Sequence, residues 1–284
     1  LVVQPHLDQR EKWQPSKRQM HIEKTFRLTQ AGLEQAPNVG LVIWPETAIP
    51  APIDETDWFG RKLRATLRDD AFLLTGAVRR QARDDGYDYF NAAMLWQAGQ
   101  IVQRSDKHHL VPFGEYLPFE HWLDRIGLGF TSDLFGTGFA AGEGPKRINI
   151  APLGAVVPLI CYEAVFPQDV SFASQEAAIL LLLTNDAWFG GFAGPQQHLA
   201  QAKMRSIEQG LPMIRVANTG ISAMIDPYGR SLKQLGLNTA GFIDAQVPQP
   251  APATLYRRFE IWTVFAILFA ILMLSLICRR QNSN

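Results

Sequence analysis

Eighteen consecutive residues, Ile261–Cys278, carry no charge, and only Thr263 and Ser275 among them are polar. As an α-helix the run would span about 27 Å, close to the roughly 30 Å hydrocarbon core of a bilayer. Arg257-Arg258 precede it and Arg279-Arg280 follow it. A core helix of a soluble domain rarely carries arginine pairs at both ends, so the segment predicts a transmembrane helix. The tail after it holds no acid, whereas Glu260 lies on the other side, which orients the C-terminus toward the cytoplasm. Pro248, Pro250 and Pro252 form a stiff connector just upstream. The expected division is a body over residues 1–256 and a membrane helix with a short tail over residues 257–284.

The body reads as an ordinary folded domain. Lys plus Arg and Asp plus Glu are each 27, so the net charge is zero and the basic excess of a nucleic-acid binder is missing. Two cysteines, Cys161 and Cys278, do not make a disulfide framework. Strand patterns fall at residues 1–4, 41–44 (ending at Pro45), 71–78, 89–96, 101–105, 155–160, 178–183, 213–217 and 221–225. Helix patterns fall at 58–68, 166–174 and 196–208, with a further amphipathic one starting from a capping box at Ser16 and Gln19 and running to about Gln35. Alternating strands and helices early and hairpins later predict a layered α/β fold. Residues 112–144 mix glycines with large apolar side chains, Trp122 and Phe130 among them, and read as an apolar arm for membrane or lipid; Trp188 and Phe189 sit in a shorter stretch of the same kind.

Three chemically suited residues stand at predicted strand ends. Cys161 follows the apolar run ending at Ile160, Glu46 follows Trp44-Pro45, and Lys107 closes the strand ending at Ser105. A thiol nucleophile needs a base, and an acyl-transfer intermediate needs a cation or N–H donors beside its oxyanion. The six histidines show no paired ligands at helical spacing, and His108 and His109, read as strand residues, would point to opposite faces, so no metal is expected. No dinucleotide fingerprint, phosphate loop or Gly-x-Ser-x-Gly elbow is present, and no cofactor is expected.

Trp44-Pro45-Glu46, the block from Asp106-Lys107-His108-His109 through Gly114-Glu115-Tyr116-Leu117-Pro118, and Ile160-Cys161-Tyr162-Glu163 together resemble the nitrilase superfamily. Within it they are most similar to the apolipoprotein N-acyltransferases. Thr184-Asn185-Asp186-Ala187-Trp188-Phe189 and the segment from Arg215 to Gly220 match the same pattern. The resemblance implies a four-layer αββα sandwich, with Cys161 as nucleophile, Glu46 as general base and Lys107 as oxyanion-stabilising cation. It implies supporting roles for Glu115, which would orient the lysine, Tyr162, whose backbone N–H would face the oxyanion, and Glu163. The partners implied are a phospholipid acyl donor, a diacylglyceryl apolipoprotein acceptor and the bilayer, with the body on the periplasmic side of a bacterial inner membrane and a monomeric protein. Trp44, Trp122, Phe130, Trp188 and Phe189 are candidate lipid contacts. The resemblance also implies a multi-span membrane domain ahead of this region, and the expectation is that this sequence starts after it. The competing expectations are a membrane-tethered amidase that uses water as acceptor, and a non-catalytic scaffold.

Overall fold

The computed structural model describes residues 1–53, 57–84, 86–116, 118 and 138–281. Twelve strands among them form two six-stranded sheets. The first contains β1 (Val2–Gln4), β2 (Leu41–Pro52), β3 (Phe72–Arg83), β4 (Gly86–Gln97), β5 (Gln100–Asp106) and, far along the chain, β12 (Gly241–Ile243), in the order β12-β1-β2-β3-β4-β5. The second contains β6 (Ile148–Ile150), β7 (Gly154–Ile160), β8 (Ile179–Thr184), β9 (Met213–Ala217), β10 (Ser222–Ile225) and β11 (Ser231–Leu235), in the order β11-β10-β9-β8-β7-β6. The centres are parallel (β1-β2-β3 and β7-β8-β9) and the edges antiparallel.

Period-two alternation builds the layers. Val2, Ile43, Leu74 and Leu95 of the first sheet meet Val156, Leu181, Ile214 and Met224 of the second in a buried seam. Their neighbours Val42, Trp44, Leu73 and Met94 face the other way, onto Ile22 and Phe26 of the helix Arg18–Gln35 and Phe59 and Leu63 of the helix Asp57–Thr66. Val157, Leu159, Leu180 and Leu182 face the helices Pro167–Ser174 and Gly194–Gln209 through Val170, Ala173, Leu199 and Ala202. A strand with both faces covered must be apolar throughout, which is why β8 reads Ile-Leu-Leu-Leu-Leu-Thr. The result is the expected four-layer αββα sandwich.

Several local expectations shift. No capping box forms at Ser16, because residues Pro15–Lys17 coil into a 3-10 turn and the helix starts at Arg18 without a side-chain cap. β2 does not stop at Pro45 but continues to Pro52, its pairing with β3 slipping between Trp44 and Ile49. A bulge tolerates a proline because the ladder is already broken there. β3 likewise runs five residues past Val78 to Arg83. The β4–β5 hairpin turns at Ala98-Gly99, both with positive φ, as a two-residue loop with the sheet's twist requires.

The apolar run forms the helix Ile261–Gln281, whose segment Ile261–Cys278 has mean hydropathy 2.7 and buries none of its length against the body. It is therefore not a core helix, and its length and composition suit a bilayer crossing. The arginine pair before it is split in role. Arg257, in the short helix Leu255–Phe259, is buried and donates to Gln175 O and Ala177 O, both at 3.1 Å, and to Ser174 O, where it covers the open carbonyls at the end of the helix Pro167–Ser174. Only Glu260, with φ 48°, separates that anchored turn from the apolar helix.

Candidate active site

Glu46 sits on the bulge of β2. It is buried, and the backbone turns through a left-handed Thr47 (φ 42°) immediately after it. Gly76 on β3 makes room for this: a Cβ there would lie 2.5 Å from Glu46 Cα and 2.6 Å from Pro45 O. Glu46 Oε1 accepts from Asn91 Nδ2 at 2.7 Å, whereas Oε2 is buried without a hydrogen-bond partner among the described residues. Burial, with the nearby Glu115 charge, raises the Glu46 carboxyl above its usual range against the pull of Lys107, Lys12 and Asn91.

Lys107 is the first residue past β5, and its position is fixed from three sides. Asp106 is held in a two-pronged pair by Arg79 (2.9 and 2.8 Å). Lys107 N donates to Asn91 O at 2.7 Å, and Gly142 N donates to Lys107 O at 2.8 Å. Its buried ammonium donates to Glu115 Oε1 at 2.9 Å and lies 3.8 Å from Glu46 Oε1. Burial alone would lower its pKa, but the carboxylates of Glu46 and Glu115 outweigh burial and hold it above the ordinary lysine value. Glu115 is itself oriented by Asn91 Nδ2 at 3.0 Å and Val111 N at 2.8 Å.

Cys161 opens the 3-10 turn Cys161–Val165 directly after β7, with φ 50°. Left-handed backbone in a non-glycine residue costs of order 1 kcal/mol and persists only where surrounding contacts enforce it. Glu163 supplies one such contact. Its Oε2 accepts from Ile160 N at 2.8 Å, half of a capping box, since isoleucine cannot complete the other half. Its Oε1 accepts from His108 N at 2.7 Å, so one carboxylate ties the cysteine turn to the lysine loop. Burial and the Glu46 charge push the Cys161 thiol up to about 12, with Lys107 and Thr184 opposing. The resting thiol is therefore protonated at neutral pH, and its activation depends on proton removal during attack rather than on a standing thiolate.

Glu46, Lys107, Glu115, Cys161 and Tyr162 line one cavity of about 240 Å³, walled on the apolar side by Trp13, Val111, Trp188 and Phe189. Trp188 and Phe189 keep 64% and 44% of their surface exposed, so the mouth of the cavity is greasy. Trp44 is not part of it. Strand alternation points its ring to the opposite face, where it is 0% exposed, packs edge-on against Phe26 at 4.9 Å and donates from Nε1 to Thr29 Oγ1 at 3.0 Å. Its candidacy as a lipid contact is thus overturned. Trp122 and Phe130 lie outside the described residues.

Sequence reasoning missed a buried polar cluster beneath the cysteine turn. His198 Nε2 lies 3.3 Å from Cys161 O, and His198 Nδ1 lies 2.9 Å from Asp186 Oδ1. Arg215, fully buried, reaches both Asp186 oxygens at 3.0 and 2.8 Å. The hydrogen bonds and charges of His198 and Arg215 overcome burial and hold the Asp186 carboxyl down at about 2. An arginine inside the apolar strand Met213–Ala217 was the available signal, because a buried guanidinium requires an acid partner. His108 and His109 also differ from expectation. The chain has left the strand at Asp106, so strand alternation does not apply, and both rings meet Asp169 (3.4 and 2.8 Å), while His108 Nδ1 lies 2.6 Å from Glu163. With Asp169 they bring three potential metal-ligand atoms within 4.8 Å of one another, an arrangement that a search for helical spacing does not find.

The family model for carbon-nitrogen hydrolases matches residues 4–254. Similar curated proteins include the apolipoprotein N-acyltransferases of Brucella melitensis (40% identity, 88% of this chain, 47% of the relative) and Rhodopseudomonas palustris (36%, 99% and 53%). The chain spans about half the length of the curated relatives it matches. Similar solved folds include a carbon-nitrogen hydrolase from Helicobacter pylori (TM-score 0.59, 17% identity, 78% of this chain and 82% of that one) and a nitrilase-superfamily member from Saccharomyces cerevisiae (0.58, 15%, 84% and 85%).

Proposed function

The chain belongs to the carbon-nitrogen hydrolase family, and from that premise we propose that it carries the catalytic centre of an N-acyltransferase. The acyl group passes from a phospholipid, through a thioester on Cys161, to the α-amino group of a diacylglyceryl-cysteine apolipoprotein. The observation that carries the reading is the convergence of a protonated thiol, a carboxylate with a bare oxygen and a buried ammonium on one cavity with an apolar mouth.

In the first half-reaction Cys161 Sγ attacks the ester carbonyl carbon while its proton passes to Glu46. The raised Glu46 pKa narrows the gap to the thiol and favours that transfer. Lys107, together with the backbone N–H of Tyr162, holds the oxyanion; one such donor is worth about 3–4 kcal/mol of barrier. Collapse breaks the carbon–oxygen bond, and Glu46 returns the proton to the departing lysophospholipid oxygen. In the second half-reaction the acceptor amine attacks the thioester, the carbon–sulfur bond breaks, and Glu46 carries the amine proton to the sulfur. Glu115 keeps Lys107 aimed, and Glu163 keeps the cysteine turn registered against the lysine loop. Trp188 and Phe189 bound the site on its lipid side and exclude water from the thioester. No cofactor takes part.

The body sits on the periplasmic side of a bacterial inner membrane, anchored by the helix Ile261–Gln281, with the acid-free tail in the cytoplasm. A water-using amidase is less well supported, since relatives at 36–40% identity are named N-acyltransferases and a soluble amide substrate has no use for an apolar mouth. Incubation with phospholipid followed by intact-mass measurement tests the reading. An acyl adduct that hydroxylamine removes and Cys161→Ala abolishes supports it; no adduct on the wild-type protein overturns it.

A further inference from the structure

Lys12 is a buried cation that the acyl-transfer steps leave unused. It ends the one-turn helix Gln9–Lys12 and is 1% exposed. Its ammonium donates to Glu46 O at 3.2 Å and to Thr47 Oγ1 at 2.6 Å. The bulge is thus backed by Gly76 on β3 and gripped through its main chain by Lys12. Burial brings Lys12 down to about 8, with Glu46 and Cys161 pulling the other way, so the amine is still mostly charged at neutral pH.

Among the described residues, Lys12 is one of two ammonium groups that bear on the base. Glu46 is faced by Lys107, Glu115 and Lys12, and by the amide of Asn91. Cys161 is faced by Glu46, Lys107 and Asp186, the last already paired with Arg215 and His198. Lys107 is shared between Glu46 and Glu115, whereas Lys12 bears on Glu46 from its backbone side, so removing Lys12 would leave the buried Glu46 carboxylate with less positive charge beside it and raise its pKa further.

We propose that Lys12 is a positioning residue for the acyl transfer, which holds the bulged backbone of Glu46 and supplies a second positive charge beside that carboxylate. The inference rests on the reading of Glu46 as the base. The test is the pH dependence of thioester formation at Cys161, followed by intact mass on the full chain in phospholipid–detergent micelles. In Lys12→Met the acid limb of the profile moves up by about one pH unit, so the rate at a pH on that limb falls about tenfold. Above the limb the rate falls by a smaller factor, from the loosened bulge alone, and KM for phospholipid is unchanged because Lys12 does not line the cavity. Lys12→Arg keeps the charge and keeps the limb within a few tenths of the wild-type position.

A lower rate at every pH with an unshifted limb would mean that Lys12 is merely structural and overturns the proposal. If circular dichroism shows that Lys12→Met does not fold, Thr47→Val decides. It removes the 2.6 Å acceptor and shifts the limb in the same direction by less, whereas an unshifted limb again overturns the proposal. Absence of any adduct on the wild-type protein sinks the acyltransferase reading instead, so the two failures are distinct.

Discussion

Gly76→Ala adds one methyl group outside the cavity, yet it should strike the base. The new Cβ would meet Glu46 Cα at 2.5 Å, Pro45 O at 2.6 Å and Thr47 N at 2.7 Å. All three are backbone atoms, so no side chain can swing aside. Ordinary contact begins near 3.4 Å, and the bulge must retreat by about 0.9 Å. Overpacking of this kind costs about 1–3 kcal/mol. For a domain of this size that lowers Tm by roughly 3–10 °C. A misplacement near 1 Å costs about 100-fold in rate when it moves a group that must be aligned for proton transfer. Single-turnover acylation of Cys161 by intact mass, run well below the melting range, separates the two effects. The expected result is an acylation rate lower by about two orders of magnitude in a protein that is still folded at the assay temperature. A normal rate with a lowered Tm would show that the bulge yields without displacing the carboxylate, and the positioning argument for Gly76 would be refuted.

Three further outcomes follow from the buried ion pairs. Asp186→Asn leaves Arg215 buried without its carboxylate, which costs about 3–5 kcal/mol, so the melting transition should fall by roughly 10 °C or more, or folding should fail. The folded Asp186 carboxyl titrates at about 2, below its ordinary 3.8; the stability it gives is complete above the ordinary value and is lost as pH falls toward 2, so thermal melts of the wild type should show acid destabilisation in that window. His108 is the opposite case. Burial alone would lower its pKa, but the carboxylates of Glu163 and Asp169 outweigh it and raise the imidazole above 6.5. The advantage of the wild type over His108→Gln should be full below 6.5 and should shrink as pH rises through the raised value, as read from Tm against pH; a constant difference across that range would contradict the pairing.

The layered fold was legible wherever burial dictates composition. β8 and, apart from Arg215, β9 are almost wholly apolar because parallel central strands are covered on both faces, and their bounds were read nearly to the residue. β11, Ser-Leu-Lys-Gln-Leu, went unseen because an edge strand with mostly exposed side chains carries no such pattern. Glu46, Lys107 and Cys161 stood out through local motifs at predicted strand ends, although only Lys107 and Cys161 follow a strand in the structure and Glu46 lies on a bulge within β2. Asn91, Lys12 and His198 did not stand out, because their roles come from topology. Asn91 looks like an ordinary polar residue within β4 until β2 and the lysine loop are folded on either side of it. Trp44 shows the converse, an aromatic beside a motif residue whose direction is set by strand parity and not by proximity in sequence. Pro45 hid the bulge, since a proline in a strand reads as an end when it can also mark a broken ladder.

Arg257 locks the last turn of the body to the end of a core helix, and one residue later the apolar helix begins. That leaves a leash of essentially zero length. If that helix crosses a bilayer as proposed, a body held this closely to it would not drift into the aqueous phase to meet the proposed acceptor. Its encounters would then be confined to a thin slab above the lipid, and the proposed lipid-anchored partners would share that slab, so that a search in three dimensions becomes one in two.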